Sequence, residues 1–566
     1  MAEHKRERYE KRVSAMTLEL SSFIGHYKML SEFVRPRRGR FEVTDRNRGE
    51  RRHKKIINSR ATKALQVATA GMFNGTMSPS RPWFMYAVDD PGLSQYGPAK
   101  EWLHLAQETV RRVLNRSNLY NMAPQMIMEE LLFGTGCMTQ DDDTLGVARF
   151  YAHTVGSYMI SQNERQVVDT FARKFEMTVE QIVGKFSRRT DEVSKDISQA
   201  VRDQYDRGNY DAWYPVTQFI HPNPNPLLNS SLSKDKPFRS VYYEPGNRGQ
   251  DIFLSKRGYD EFPVYAPRWE TTGNDVYGTS CPGMAALGDI RQLQLSERRK
   301  AQGLEKMLTP PLHGPPSLKN KRVGNLAGNV TTYDPGGDSK GLRPIYEVNL
   351  PLGEVTLDIK EVEKRINEAF FVDLFKAIST MEGIQPKNQL ELFQRNQERL
   401  QELGPVLERQ YGDFLAPMLS RTFNQVMRAG LLPPPPPELE DKLLEIRYVS
   451  MLALAQQSAI TSNIDRLIAF VGNLMAAGFE EAGVKLDSQQ AVDEYAQLVG
   501  SPPNLVRDDE TVTKIQEQQA QQAQQAQALE RVSQLADVVE KVGNINVSKD
   551  TVAGRTADAI NRRRAQ

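Results

Sequence analysis

The sequence predicts an α+β fold that is mainly α. Two observations support this class. In residues 1–280, segments whose apolar residues have helical spacing alternate with short segments that are typical of strands and turns. From Pro282 onward the apolar residues recur almost entirely at helical spacing. The chain has 566 residues and is 39% hydrophobic, so it holds enough apolar material for two to four packed regions.

The first 280 residues predict a body of mixed helices and strands. Helices are expected at 1–33, 54–76, 98–117, 119–134, 178–187 and 192–206, and strands at 83–86, within 147–175, at 214–222 and within 237–268. The second helix should end near Gly75, because Pro79 and Pro82 prevent its continuation.

The following residues predict a helical hairpin. Its first helix covers 281–308 and its second covers 352–378. The apolar residues that share one side of each helix are Leu287, Ile290 and Leu304 in the first, and Ile359, Val362 and Ile366 in the second. The connecting residues 309–351 are rich in Pro and Gly, which predicts a small compact insertion.

The remainder is predicted to be helical as well. A loop at 379–388 precedes a long helix at 389–432, which Gly404–Pro405 should kink. Pro433 to Pro437 then form a stiff polyproline break, and short helices are expected within 438–500.

Composition excludes several classes of protein. No segment approaches the ~18 apolar residues that span a bilayer, so no membrane association is expected. The first residues are charged and lack an apolar core, which does not fit a secretory signal. Cys137 and Cys281 are the only cysteines, which favours a reducing compartment over a secreted, disulfide-bonded protein.

The net charge of +2 conceals a cluster of cations. Between residues 35 and 55 the sequence contains Arg35, Arg37, Arg38, Arg40, Arg46, Arg48, Arg51, Arg52, Lys54 and Lys55. Attraction of nucleic-acid phosphates is one interpretation. The other interpretation is a solvated or subunit-facing charged segment, which is the more common origin of charge runs.

No catalytic constellation is evident, and the sequence predicts a non-enzyme without cofactor or metal. It contains no phosphate-binding loop and no Cys or His cluster with zinc spacing. Cys137 and His153 could meet as a nucleophile pair, but a buried thiol beside an unrelated His is the alternative. The run from Asp141 to Asp143 could hold a divalent ion or could form a polar turn.

The hairpin predicts an oligomer. Two long helices joined by a small polar module are not expected to bury both apolar faces within one chain. Copies packed side by side in a ring could bury them.

The sequence resembles the head-to-tail connector, or portal, family of short-tailed bacteriophages. The most specific segments are Gly258–Val264, Pro267–Glu270, Asp275–Gly278, Pro282–Gly283 and Leu287–Leu293. Gly71–Phe73, Pro82–Phe84 and the stretch Phe370–Arg421 also match, and the order of elements agrees with the pattern above.

The resemblance implies a virion protein that forms a dodecameric ring at one capsid vertex and passes double-stranded DNA through its channel. Residues 1–280 and 389–432 would be the wing. Helices 281–308 and 352–378 would be the stem, 309–351 the clip, 379–388 the tunnel loop, and 433–566 the crown. Implied partners are the terminase large subunit, tail adaptor and nozzle proteins, the major capsid protein and scaffold, and internal ejection proteins.

Site residues follow from these assignments. Channel positions are expected at Lys360, Lys364, Met381, Glu382, Gln385 and Lys387, and stem contacts between copies at Leu287, Ile290, Leu304, Ile359, Val362 and Ile366. Partner contacts on the clip are expected at Lys319, Lys321 and Arg322. The alternative is that Lys364 only pairs with Glu361 or Glu368 on its own helix. The competing hypotheses are a nuclease or ATPase of the packaging motor and a generic basic DNA-binding or scaffolding protein.

Overall fold

The computed structural model describes residues 5–41, 54–88, 90, 97–187, 193–227, 230, 232–247, 252–313, 343–345, 351–380, 397–439 and 444–479, with short pieces between 481 and 524. The chain divides into two compact units. The first comprises Met1–Tyr86, Leu105–Pro434 and Ile446–Gly483, and the second comprises Ala87–His104, Pro435–Glu445 and Val484–Gln566.

Helices predominate. They are α1 (Lys5–Val34), α2 (Arg60–Met77), α3 (Gly97–Arg116), α4 (Leu119–Phe133), α5 (Val179–Phe186), α6 (Gln199–Asp206), α7 (Pro282–Ala285), α8 (Leu287–Leu308), α9 (Leu352–Ala369), α10 (Val372–Thr380), α11 (Gln397–Gln410), α12 (Ala416–Arg428) and α13 (Met451–Ala476). A π-helical turn, Tyr411–Leu415, joins α11 to α12, and a 3₁₀ turn covers Pro437–Leu439.

The strands are short and mostly antiparallel. They are β1 (Phe84–Val88), β2 (Met138–Asp143), β3 (Val147–Ala152), β4 (Tyr158–Gln162), β5 (Val168–Thr178), β6 (Trp213–Pro222), β7 (Phe238–Tyr243), β8 (Ser255–Tyr259), β9 (Val264–Tyr265), β10 (Leu312–His313), β11 (Arg343–Pro344) and β12 (Leu444–Tyr448). Strands β4 to β8 form one sheet in sequence order, and β2 lies between β3 and β9 in another.

The five-stranded sheet is covered on both sides. On one side α5 and α6 bury an apolar cluster that includes Val179, Ile182 and Val201. Thr178 begins α5 with a reciprocal capping box to Gln181. Helix α1 contributes Tyr9, whose ring centroid lies 5.5 Å from that of Phe219 on β6.

The α+β class is confirmed, and the structure corrects several boundaries. The run Asp141–Asp143 belongs to strand β2, which the sequence had indicated as a turn. The helix that was expected to be continuous over 352–378 breaks between α9 and α10. The cause is Phe371, whose φ of 52° lies in the left-handed region and turns the chain. The apolar residues on either side of this break lie in the interior, since Phe370 and Phe375 are buried.

The helical C-terminal half also differs in detail. Helix α11 includes Pro405, where the kink stays a prediction, and a π-helical turn follows the helix at Tyr411–Leu415. The polyproline segment is followed by strand β12 and then by the 26-residue helix α13, where only short helices had been predicted. In Leu444–Tyr448 apolar residues alternate with Glu445 and Arg447, which is the strand period, but five residues are too few for this signal to outweigh the helical pattern that follows.

Candidate functional site: a helix pair and its anchorage

Helices α8 and α9 form the candidate site. The segment before α8 begins with Pro282 in the first turn of α7, a position where proline's missing N–H is not needed. Helix α8 ends at Leu308 because Pro310 and Pro311 follow it. The pairing of Leu312 with Pro344, at the ends of the insertion, brings the chain back from α8 toward α9.

An apolar seam joins the first half of α8 to the stretch of α9 from Ile359 to Ile366. Its buried side chains are Leu287, Ile290 and Leu293 on α8, and Ile359, Val362 and Ile366 on α9. The same seam continues into Phe370 and the apolar residues of α10, which pack against α2. The approach of α10 to α2 is so close that a Cβ added to Gly71 would lie 2.2 Å from Phe375 Cβ.

This burial corrects the premise that the hairpin cannot cover its apolar faces within one chain. Leu287, Ile290, Ile359, Val362 and Ile366 are all buried in the single chain. These five side chains therefore present little surface to another copy. That they form contacts between copies stays a prediction, and their burial within one chain speaks against it. The sixth predicted residue, Leu304, is only half-buried.

The opposite half of the pair is uncovered in the single chain. Leu308 is 81% exposed and Leu357 is 66% exposed, and both lie toward the insertion. Leu295 and Met307 on α8 are also exposed. An isolated surface Leu needs no explanation, but four large apolar side chains on one helix pair indicate a surface that another molecule covers.

A set of polar contacts, which sequence patterns hardly indicate, fixes the helix pair to the body. Gln294 Oε1 accepts hydrogen bonds from the backbone N–H groups of Ile57 (2.6 Å) and Asn58 (2.9 Å), and its Nε2 donates to Asn58 O (2.8 Å). Asn58 Nδ2 in turn donates to Glu297 on α8 (3.0 Å) and to Glu363 on α9 (2.9 Å). One side chain thereby ties both helices to the residues that precede α2. A signal did exist, because Gln294 interrupts the buried arc of α8.

An ion pair adds a second link. Arg365 on α9 lies 3.0 Å from Asp289 on α8 and 3.2 Å from Glu361 one turn earlier. Arg365 and Asp289 are partly exposed and Glu361 is exposed, so solvent screens both pairs and they contribute little to stability.

The predicted channel residues lie partly within the described chain. Lys360 and Lys364 are both exposed on α9, and Lys364 Nζ is 3.7 Å from Glu368 Oε1. Pairing of Lys364 along its own helix, the alternative interpretation, is therefore present. Met381, Glu382, Gln385 and Lys387 lie outside the described residues, and so do Lys319, Lys321 and Arg322.

Buried polar contacts fasten the long helix to the segment that carried the family resemblance. Arg268 pairs with Asp413 in the π-helical turn at 3.4 Å and donates to Gln162 at 2.8 Å. Arg421 on α12 is almost wholly buried and pairs with Glu261 at 3.0 Å. A buried Arg requires such partners, because an unpaired charge in the interior is costly. The match around Gly258–Glu270 thus reflects an internal scaffold.

Glu130 is a second buried carboxyl near this junction. Gln410 Nε2 donates to its Oε2, whereas its Oε1 has no hydrogen-bond partner. Burial, together with the nearby Asp413 carboxylate, raises the pKa of Glu130 well above its usual range. Burial likewise raises the pKa of Asp413, although Arg268 opposes that shift.

Cys137 and His153 do lie next to each other. The backbone N–H of His153 donates to Cys137 O at 2.9 Å, and the His153 ring is 3.0 Å from Thr139 Oγ1. Burial raises the pKa of the Cys137 thiol well above its usual range and lowers the pKa of His153 well below it. Both groups are held neutral, which is the opposite of what a thiolate–imidazolium nucleophile needs.

The acidic run is occupied by protein contacts. Asp141 accepts from Tyr259 Oη (3.0 Å), and Asp143 accepts from the backbone N–H of Gly146 (3.2 Å) in the turn after β2. Asp142 pairs with Arg421 at 3.4 Å. Within the described ranges no group of three or more metal-ligating side chains occurs.

The described part of the basic cluster makes contacts within the chain. Arg38 lies 3.5 Å from the buried Glu129, and the backbone N–H of Arg40 donates to Val155 O at 2.8 Å. Lys55 pairs with Glu32. Residues 42–53 lie outside the described chain, so phosphate attraction there stays an open interpretation.

Comparison with known proteins identifies the family. Residues 6–506 match the family described as bacteriophage head to tail connecting protein. The chain belongs to this family of phage head-to-tail connectors. It is 39% identical over 520 residues to the portal protein of Salmonella phage epsilon15, and the aligned residues cover 92% of each chain. It is 36% identical over 534 residues to the probable portal protein of Bordetella phage BPP-1, and here the aligned residues cover 94% of each chain.

Membership confirms the resemblance that Gly258–Val264 and the later segments suggested. Head-to-tail connectors are structural components of the virion at the junction of head and tail, so association with capsid and tail follows from the family. In the part of the chain that the structure describes, no helix combines the length and the apolar character that crossing a membrane requires.

Proposed function

We propose that copies of this chain form a closed, dodecameric ring at one capsid vertex and that double-stranded DNA enters and leaves the head through its centre. The observation that carries this proposal is the helix pair of a head-to-tail connector, which is anchored at one end and apolar and uncovered at the other. In a closed ring each copy has two neighbours, and the contact between them uses two different surfaces of the chain. The uncovered half of α8 and α9 supplies such surfaces.

The exposed charges of α9 suit a wall along which DNA slides. Lys360 and Lys364 are one turn apart and exposed, and they are outnumbered by the exposed acidic residues Glu354, Asp358, Glu361 and Glu368. Duplex DNA carries one negative charge per ~1.7 Å, so a strongly basic wall would hold it in place. A mixed wall with a few Lys residues guides the duplex with weak, sequence-independent contacts.

The remaining partners are assigned by family position. The insertion 309–351, with Lys319, Lys321 and Arg322, meets the terminase large subunit during packaging and tail adaptor and nozzle proteins afterwards. The major capsid protein and scaffold surround the vertex, and internal ejection proteins meet residues 433–566 inside the head. Assembly takes place in the host cytoplasm.

Replacement of the uncovered leucines tests the ring interface. The double variant Leu308→Glu with Leu357→Glu places two charges on the proposed contact and should leave monomers in sedimentation velocity, where the wild type sediments as a ring. Leu145→Glu is the matched control, because Leu145 is 96% exposed in the turn between β2 and β3. Rings of unchanged stability from the double variant would contradict the assignment of this interface.

Alanine at Lys360, Lys364 and Lys387 tests the channel. The triple variant should form rings but should package or retain less DNA in complemented phage particles. Lys256→Ala is the control, since Lys256 is exposed on β8, outside the helix pair. Particles that fill and hold DNA as the wild type does would remove these Lys residues from the channel wall.

A further inference from the structure

Helix α13 is anchored at its start. Ser450 caps it by accepting a hydrogen bond from the backbone N–H of Ala453 at 3.3 Å, and Leu452 and Ala453 are buried. Its other end is equally well defined. Gly478 has a φ of 97°, and the N–H of Phe479 donates to Leu474 O at 3.0 Å, which closes the helix with a glycine C-cap. The second half of the helix is therefore ordered, although little of the chain covers it.

This second half is apolar and exposed. Phe470 is 60% exposed and Phe479 is 65% exposed, and Leu467, Ile468 and Met475 are exposed as well. No residue from Leu467 to Phe479 carries a charge. A helix that is apolar to this extent is stable only when it is buried. Some other surface must cover it in the working protein.

The two sides of this half differ in size. At 100° per residue, Leu467, Ile468, Phe470 and Met475 fall on one side, whereas Ala469, Gly472 and Ala476 fall on the other. The large side chains of one helix can therefore lie against the small side of an identical helix at close range. Such a contact joins unlike surfaces of like chains, which is the type of contact that generates rings.

A lipid surface is a poorer occupant. The uncharged stretch is shorter than the ~20 residues that span a bilayer. Helices that lie on a membrane carry Lys and Arg along a polar face. Here the only basic neighbour is Arg466, and the apolar stretch is followed by Glu480 and Glu481. The charge pattern instead leaves the contact between identical copies free of like-charge repulsion along its whole length.

We infer that the residues 467–479 of each copy pack against the same residues of the next copy, so that a second, apolar belt closes the ring apart from the α8–α9 pair. This inference rests on the proposed ring and adds a partner surface to it. The large side around Phe470 contacts the small side around Ala476 of the neighbouring chain.

Disulfide trapping in the full chain tests the belt. The double variant Phe470→Cys with Ala476→Cys should give, after mild oxidation, a ladder of covalent dimers, trimers and higher species on a denaturing gel. Both positions are exposed in the chain, so folding should not depend on them. The native thiols of Cys137 and Cys281 are buried and should add no background. Each single variant is the control, and neither should give more than a trace of dimer.

The outcomes separate this inference from the proposed function. A ladder from the double variant alone, in rings whose mass equals that of the wild type, is the expected result. Rings of full mass without a ladder would overturn the belt and leave the proposed function standing. Flotation of the wild-type chain with phosphatidylcholine–phosphatidylglycerol vesicles, abolished by Phe470→Ser, would also overturn it by assigning the surface to lipid. A wild type that forms no ring would overturn both proposals together.

Discussion

Ile366 should stabilise the chain itself, independently of any ring. The side chain is 0% exposed in the seam between α8 and α9. Ile366→Ala removes three carbon atoms, worth about 2–3 kcal/mol of transfer free energy at ~0.8 kcal/mol each. The cavity that remains adds to this cost, so the free energy of unfolding should fall by about 2–5 kcal/mol in total.

Leu308 provides the contrasting case. It is 81% exposed in the single chain, so Leu308→Ala should change the free energy of unfolding by less than about 0.5 kcal/mol. If a neighbouring copy buries it, the loss appears in assembly instead. Burial of a Leu side chain is worth about 1.5–3 kcal/mol, which corresponds to roughly tenfold or more in the association constant of each interface.

Urea unfolding and sedimentation, measured on both variants, separate the two roles. Tryptophan fluorescence reports unfolding because Trp83 and Trp269 are buried in the same unit as the seam. We expect a lowered urea midpoint for Ile366→Ala and a weakened ring for Leu308→Ala. An unchanged midpoint for Ile366→Ala, with loss of the ring alone, would refute the assignment of Ile366 to the core of the single chain.

Three further predictions concern the body. Gly71→Ala should destabilise the chain by about 1–3 kcal/mol, because the added Cβ would overpack against Phe375. At Gly184 an added Cβ meets nothing within 4 Å, so Gly184→Ala should stabilise helix α5 by about 0.5–1 kcal/mol. Urea midpoints that shift in the same direction for both variants would contradict this. The raised pKa of Glu130 means that the folded chain binds its proton more tightly than the unfolded chain, so the stability of the chain should fall as pH rises above about 4.5. Glu130→Gln should flatten this decline in melting temperature. An unchanged pH dependence in the variant would exclude Glu130 as its source. Burial raises the pKa of Cys281 to about 12 and that of Cys137 above its usual range, so neither thiol should react with Ellman's reagent until the chain is unfolded in urea, and rapid labelling of the native protein would oppose that expectation.

Periodicity predicted the elements that are long and amphipathic. The spacing of Ile359, Val362 and Ile366 defined the buried side of α9, and Pro310 and Pro311 marked the end of α8. These signals are local. Residues three or four positions apart lie on the same side of a helix, and a proline ends the helix at its own position. What the spacing could not show was which molecule buries that side.

Contacts between distant segments were not predictable from one sequence. Asn58 joins α8 and α9 from far along the chain, and no local pattern marks that bridge. At Phe371 the chain leaves a continuous helical pattern, and the helix that follows packs against α2, which lies far away in the sequence. Strand β2 was missed because Asp141 to Asp143 have low strand propensity, and its pairing with β3 and β9 outweighs that preference.

The mass and symmetry of the purified chain test the central claim most directly. Native mass spectrometry with class-averaged electron micrographs should show a closed dodecameric ring with a central hole, and that result would establish the assembly on which the channel, the α8–α9 interface and the α13 belt all depend. A chain that stays monomeric at high protein concentration, with Leu308, Leu357 and Phe470 still exposed to solvent, would contradict the account.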